Sequence, residues 1–464
     1  MLDLALREPP HNIELEQAIL GAIIADNAAL DRLGNLQPED FYEPVHQQIF
    51  AAAREQWQTS RAVNIATLRG IIHDAQPITE SLSLPGYIKR LVSIGDSRNI
   101  EALAETQRDY ATRRKLCETA AYLDAAARNP TLPAGEAINL TVSTLDTVLS
   151  HGRTKGPTRR TAGEAFREAM DAIISNDRSE IITSGLRTLD AVTGGWRRKE
   201  FAILAGRPSM GKSTVALSSA VASAQAGIGV MLFSLEMPMK PYATRMMCDL
   251  AWTPDTRVSY ADALAKNLND RDLEQLGRAA AHYDQLPITI DDQRGLTIAE
   301  IAARARAEAQ RMERKGQRLG LVVVDHLGLI KPSGRYAGNK VQEVGEISDA
   351  LATLAKDLDV AVLALQQLNR QTESRENKRP TLADLRSSGD LEQDADIVCF
   401  AYRQSYYLER TKFDPGTQQE YQRLTDLEAC RNTLDVMVAK NRNGRTETVT
   451  LFCDMGSNVV RDGA

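Results

Sequence analysis

Aromatic residues make up only 5% of this 464-residue chain, which has just five cysteines and six histidines. The cysteines (Cys117, Cys248, Cys399, Cys430 and Cys453) are odd in number, far apart and form no C-x-x-C pair. That excludes a disulfide framework and fits reduced thiols packed as small apolar residues in a cytosolic protein. The histidines show no metal-ligand spacing either. No uninterrupted apolar run approaches the length of a membrane span; the longest, Leu319 to Ile330, is broken by Asp325 and His326. The segment Met1 to Glu8 is too short and too acidic for a signal peptide. Positive charge is also lacking, since the formal net charge is −6. Any nucleic-acid site is therefore a local basic lining that the bulk count hides, with few aromatics for base stacking.

Hydrophobic residues are 43% and charged residues 25% of the chain, the balance of a globular protein with room for two or three domains. The first part, residues 1–98, reads as a small helical domain: Ile13–Ile24, Val45–Trp57, Asn64–His73 and Gly86–Ile94 carry helical periodicity. Residues 99–150 read as a helical hairpin, with Asn99–Arg128 and Ala134–Leu149 joined across Asn129-Pro130-Thr131-Leu132-Pro133. Residues 151–180 form a linker containing a short helix. Its opening Thr161-Ala162-Gly163-Glu164 is a capping box, in which hydroxyl and carboxylate each satisfy an orphan N–H. Phe166, Ala169, Met170 and Ile173 give that helix an apolar stripe that has to dock on its own chain or on a neighbour.

From residue 181 to 464 strand-like runs alternate with helical patterns, which predicts an α/β domain with a parallel-rich sheet. In such sheets ligands collect at the carboxyl ends of the strands. After the run Phe201–Ala205 stands Gly206-Arg207-Pro208-Ser209-Met210-Gly211-Lys212-Ser213-Thr214, and a helix follows. This is strand, phosphate loop (G-x-x-x-x-G-K-S/T), helix. Its glycines let successive N–H groups curl around an anion, and the helix N-terminus adds its unpaired donors. Lys212 is placed to reach the β- and γ-phosphates and Ser213 to hold Mg²⁺. These residues predict a nucleoside triphosphate site.

Other strand ends carry polar groups. Leu321-Val322-Val323-Val324-Asp325 has the form of a Walker-B strand, whose acid shares the Mg²⁺ with Ser213. Glu236, after Val230–Phe233, reads either as the base that activates water or as an acid favoured by a helix N-terminus. The amides after Leu363–Leu365 read as a γ-phosphate sensor or as a plain strand end. Ala439 to Arg445 is a basic turn: a solvated hairpin, or cations offered to a neighbouring subunit's nucleotide. The loops Lys331–Lys340 and Arg370–Pro380, the latter preceding Asp384–Asp390, suit contacts to a nucleic-acid backbone, and equally suit an ordinary surface.

Taken together, these blocks resemble the DnaB-type replicative DNA helicases of bacteria and phages over nearly the whole chain. Pro38-Glu39-Asp40-Phe41-Tyr42 and His46-Gln47-Gln48-Ile49-Phe50 are similar to that family's collar domain. Thr183 to Asp190, the phosphate loop, Phe233 to Met237, the Walker-B strand, Gln367-Leu368, Asp384 to Gly389, Glu392 to Val398 and Lys440 to Gly444 match its ATPase half. The resemblance implies an α/β RecA-like P-loop ATPase domain preceded by an all-α domain, a helical hairpin and a linker helix. It implies a cytoplasmic homohexamer that uses ATP and Mg²⁺ to move 5′→3′ on single-stranded DNA in its pore, with primase and a helicase loader as partners and no membrane. By position it implies Glu236 as catalytic base, Gln367 as sensor, and Lys440 and Arg442 as cations acting on the adjacent subunit. It likewise implies that Gly206, Pro208, Ser209, Gly211, Lys212, Ser213, Thr214, Arg245 and Asp325 hold the nucleotide, Ser213 and Asp325 the metal. Arg386, Ser387 and Gly389 would meet DNA, and the helix of residues 161–176 would grip the next protomer. His326 departs from the family's usual tyrosine, Asp390 puts a negative charge beside the DNA loop, and Tyr406–Asn432 is a longer, helical insertion. The rival expectations are a RecA-like recombination ATPase and a nucleotide-gated loading scaffold without catalysis.

Overall fold

Asn12 opens the first helix of the computed structural model by accepting the N–H of Leu15 at 3.1 Å. The model describes residues 8–60, 62–71, 83–133, 137, 141, 144–145, 161–175, 178–283, 285–332, 338–369, 373, 375–388 and 391–463. Along the helix Ile13–Ala25, Leu15, Ile19, Leu20 and Ile23 are buried, as a 3.6-residue period requires. They pack with Phe41, Ile49, Phe50, Leu68, Ile88 and Leu91, from helices Pro44–Ser60, Ile65–Ile71 and Leu84–Ile94 among other segments. The long helix Ile100–Arg128 contributes Ile100 and Ala104 to this same core. Its first turns therefore pack into the core of the helical domain, while Leu116, Tyr122 and Leu123 further along the helix are exposed. The expected second arm of the hairpin lies largely outside the described residues.

One polar cluster sits inside this helical domain. Glu16 is fully buried and accepts from His46 Nδ1 (2.7 Å), the Tyr42 N–H (2.5 Å), the Glu43 N–H (3.3 Å) and Gln107 Nε2 (3.0 Å). His46 Nε2 meets the Tyr87 hydroxyl at 2.6 Å. Burial alone pushes the Glu16 carboxyl up, but the His46 hydrogen bond, the two backbone N–H groups and the His46 charge together hold it below its ordinary value of 4.5.

The helix Ala162–Ile174 has the expected capping box: Glu164 accepts from the Thr161 N–H at 2.9 Å and donates its own N–H to Thr161 Oγ1 at 3.3 Å. None of its residues is buried, and Phe166 (71%) and Ile173 (72%) are the most exposed part of its apolar stripe with Ile174.

The remainder is built on a nine-stranded sheet. Its strands are β3 (Phe201–Gly206), β4 (Gly229–Ser234), β5 (Ile288–Asp291), β6 (Leu319–Asp325), β7 (Ala361–Gln367), β8 (Ile397–Tyr402), β9 (Thr433–Asn441), β10 (Thr448–Asp454) and β11 (Val459–Asp462), in the order β11-β10-β9-β8-β3-β7-β6-β4-β5. A small pair, β1 (Ile181–Ile182) and β2 (Trp196–Arg197), stands beside it. β8, β3, β7, β6, β4 and β5 run parallel, and β9, β10 and β11 extend the sheet antiparallel. The central strands are buried on both faces, hence their unbroken apolar runs. β9 and β10 alternate buried with less buried residues, because only one face meets the core. On one face Ala202 and Leu204 pack with Val215 and Leu217; on the other Phe201 and Ile203 pack with Ile301, Leu351 and Leu354. The insertion forms two helices, Gln404–Arg410 and Gln418–Cys430.

Candidate functional site

Four parallel strands end at one edge of the sheet, and each delivers a polar group there. Gly206 of β3 lies opposite Gln367 of β7, and Ser234 of β4 opposite Asp325 of β6. Glu236 follows two residues after Ser234, and the Leu235 N–H is tied to the Asp325 carbonyl at 2.8 Å. The expected sequence of phosphate loop, acid, acid and amide is thus gathered along one line, at the carboxyl ends where ligands bind.

The loop reaches its shape through left-handed residues: Ser209 has φ 65° and Gly211 φ 89°. At Gly211 a Cβ would come within 2.5 Å of Leu434 Cδ1, so a larger residue would also have to push that buried side chain aside. The helix Lys212–Gln225 starts at once, with its first N–H groups turned toward the loop. Lys212 Nζ donates to the carbonyls of Gly206 and Arg207, each at 3.0 Å. Burial pushes this ammonium down from 10.5 to about 8, against the pull of Asp325 and Glu236. Pro208 and Ser209 lie on the loop's rim, whereas Thr214 is buried in the helix's first turn.

Asp325 is buried and accepts a hydrogen bond from the Ser213 hydroxyl. Burial raises its carboxyl above the ordinary range, opposed first by that hydrogen bond. Among the described residues no group of three or more His, Cys, Asp or Glu could hold a metal ion. The Ser213–Asp325 pair fits Mg²⁺ of another kind, one that takes one or two protein oxygens and completes its shell from phosphates and water. Glu236 is more than half exposed, and its carbonyl accepts from Arg294 Nη2 at 2.9 Å. Gln367 is exposed and, with Arg207, Pro208, His326, Leu368 and Asn369, lines a cleft of about 380 Å³. Arg245, in the helix Met239–Ala251, lies with its guanidinium 5.1 Å from the Tyr260 ring centre; its Nε is buried without a hydrogen-bond partner among the described residues.

Two arginines that the sequence reading passed over hold the loop. Arg207 is buried and donates to the Leu368 carbonyl (2.7 Å) and to Glu373 Oε1 (2.9 Å). Arg403, equally buried at the end of β8, donates to the Ser209 carbonyl at 3.3 Å. The available signal for Arg403 was its place immediately after a strand neighbouring β3.

Lys440 and Arg442 are not with this group. β9 runs against β8, pairing Asn441 with Ile397, and Ile397 in turn lies opposite Ala202 near the start of β3. Both cations therefore sit toward the amino-terminal edge of the sheet. Lys440 Nζ donates to the carbonyls of Glu392 (2.5 Å) and Gln393 (3.2 Å), and Arg442 pairs with Asp396 Oδ1 at 2.8 Å and the Gln393 carbonyl at 2.6 Å. Arg386 and Ser387 belong to the short 3-10 helix Leu382–Ser388; Gly389 and Asp390, and residues 333–337, lie outside the described residues.

Comparison with known proteins matches residues 182–458 to the family model of the DnaB-like helicase C terminal domain and residues 8–109 to that of the DnaB-like helicase N terminal domain. The chain is 32% identical over 462 residues to replicative DNA helicase DnaC of Bacillus subtilis (strain 168), spanning 96% of this chain and 93% of that one. It is 33% identical over 467 residues to replicative DNA helicase DnaB of Rickettsia bellii, spanning 96% and 91%. Among solved structures, a DnaB-like replicative helicase described with its interactions with primase superposes with a TM-score of 0.64 at 27% identity, covering 98% of this chain and all of that one. A second solved structure, an ATPase domain on its own, superposes with a TM-score of 0.55 at 31% identity over 66% of this chain and the whole of that domain.

Proposed function

This chain belongs to the DnaB family of replicative DNA helicases, and from that membership we propose how its parts divide the work. It is a helicase whose nucleotide-binding RecA-like domain follows a helical one in the chain. The nucleotide is ATP. Gly206 to Thr214 cradle its phosphates, with Lys212 on the β- and γ-oxygens, while Ser213 and Asp325 hold Mg²⁺ and Arg245 contacts the nucleotide. Mg²⁺ neutralises the charge that develops on the phosphates when bound. Glu236 takes the proton of the attacking water, and Gln367 feels the γ-phosphate at the far side of the cleft.

What carries the reading is the split across the sheet. The groups that bind and activate stand at one edge, while Lys440 and Arg442 stand at the other and cannot serve their own nucleotide. They serve the neighbour's, which makes a closed ring the working form. We take that ring to be a homohexamer in the cytoplasm, held in part by the stripe Phe166, Met170 and Ile173 docking on the next copy. Single-stranded DNA passes through the pore past Arg386, Ser387 and Gly389, moving 5′→3′. A primase and a loader are its partners, in line with the DnaB-like structure described with primase. The domains are taken as 1–98, 99–150, 151–180 and 181–464.

The test is unwinding of a forked duplex with a 5′ tail in the presence of ATP and Mg²⁺, alongside hydrolysis with and without single-stranded DNA. Strand separation that needs both the 5′ tail and hydrolysis is expected. Displacement only from a 3′ tail, or full-rate hydrolysis by a monomer, would overturn the proposed direction or the ring.

A further inference from the structure

His326 stands beside the groups already assigned, and its ring is fixed in a way none of those assignments uses. It follows Asp325 at the end of β6, next to the turn that carries Glu236 after β4. Its Nδ1 accepts the N–H of Gly328 at 3.2 Å, capping the short turn Leu327–Leu329. An accepting Nδ1 puts the proton of the neutral ring on Nε2. The ring packs closely on Gly328: a Cβ there would come to 3.1 Å from Cε1 and 3.2 Å from Nδ1, so the ring would have to shift slightly. Only 15% of the side chain is exposed. Nε2 then lies 4.0 Å from Glu236 Oε2, and the residue lines the cleft with Gln367 and Arg207.

Glu236 needs such a partner. Its side chain is 57% exposed, and among the described residues His326 is the one basic side chain within 4.0 Å of its carboxylate. A general base works only from the orientation that meets its proton, and such contacts often shorten from their unliganded length once substrate closes the site. We propose that His326 is a positioning residue: its Nε2–H donates to one oxygen of Glu236 and turns the other toward the water that attacks the γ-phosphate. The inference rests on Glu236 being the base.

Two substitutions separate this role from simple capping. In His326→Asn the amide oxygen still accepts the Gly328 N–H, as asparagine does at turns, but nothing replaces Nε2–H. In His326→Gln the longer side chain brings an N–H back to about the place of Nε2. The positioning role predicts that H326N lowers kcat for ATP roughly 10- to 100-fold, the range for partners that orient a working group. KM and the affinity for a fluorescent ATP analogue should be unchanged, and H326Q should recover a substantial part of kcat. H326N should have no further effect on the residual rate of E236Q. A fully active H326N overturns the proposal, as does an inactive H326Q beside an active H326N, or loss of nucleotide affinity in both variants. E236Q at the wild-type rate fails differently, since it removes the base assignment itself, whereas an inert E236Q with an unaffected H326N removes only the role of His326.

Discussion

Mixing two inactive variants should restore hydrolysis. Take Lys212→Ala, which empties a chain's own phosphate loop of its cation, and Arg442→Ala, which leaves that loop intact and removes the arginine. Asn441 is level with Ala202, and Gly206 lies four residues further along β3. At about 3.3 Å per residue and 4.8 Å between strands, roughly 13 Å along the strand and 10 Å across two spacings separate the two backbones, or about 16 Å in all. A guanidinium anchored next to Asn441 and turned onto Asp396 does not bridge that gap to its own loop. Its present hold is a pair with the largely buried Asp396 and a hydrogen bond to the Gln393 carbonyl, which it must leave to reach a neighbour's nucleotide. Removing a trans-acting arginine should lower hydrolysis by about 10³-fold or more with ATP binding retained. When the variants are co-assembled in equal amounts, about one interface in four joins an intact loop to an intact arginine, so steady-state phosphate release should return to as much as a quarter of wild type. The assay is phosphate release with saturating single-stranded DNA after co-expression, with mixed rings verified by two affinity tags. Mixed rings that remain as inactive as either parent would refute the trans arrangement.

Phe166→Asp with Ile173→Asp should shift the particle mass by light scattering from the ring to smaller species, with the helical domain's circular dichroism retained; unchanged mass would remove the linker helix from the interface. The helical domain should lose stability in acid. Because the Glu16 carboxyl is held below 4.5, its contribution is complete above that pH and disappears as pH falls through the lower folded value. Hydrogen exchange of the Ile13–Ala25 helix should accelerate over that window in wild type and far less in Glu16→Gln, and equal acid sensitivity would contradict the assignment. Affinity for single-stranded DNA should fall steadily with added salt, by a slope set by the phosphates contacted; a flat response would speak against a backbone-tracking pore.

Much of this was legible because it is periodic. Doubly buried β3, β4, β6 and β7 announce themselves as apolar runs, and a polar group at the end of each is readable once the strands are known to be parallel. β5 leaves little trace because Ile288 to Asp291 is a short edge strand with no fully buried residue, and β11 because Val459 to Asp462 has only two buried positions. The holding contacts were illegible for a different reason. Arg403 meets Ser209, and Arg442 meets Asp396, across separations in sequence that no local pattern encodes. The orientation of His326 likewise depends on Gly328 and on a neighbouring strand's turn. The later arm of the expected hairpin and part of the DNA loop lie outside the described residues.

Arg207 has one more implication. It belongs to the phosphate loop, yet both its bonds go to the stretch that leaves β7: the Leu368 carbonyl and Glu373. Shortly beyond, Arg375 is paired with Asp384 at the head of the helix that carries Arg386 and Ser387. A tether of two arginines thus runs from the triphosphate cradle to the segment that would face the nucleic acid. These contacts lie within a single subunit, whereas the trigger proposed above would come from the next.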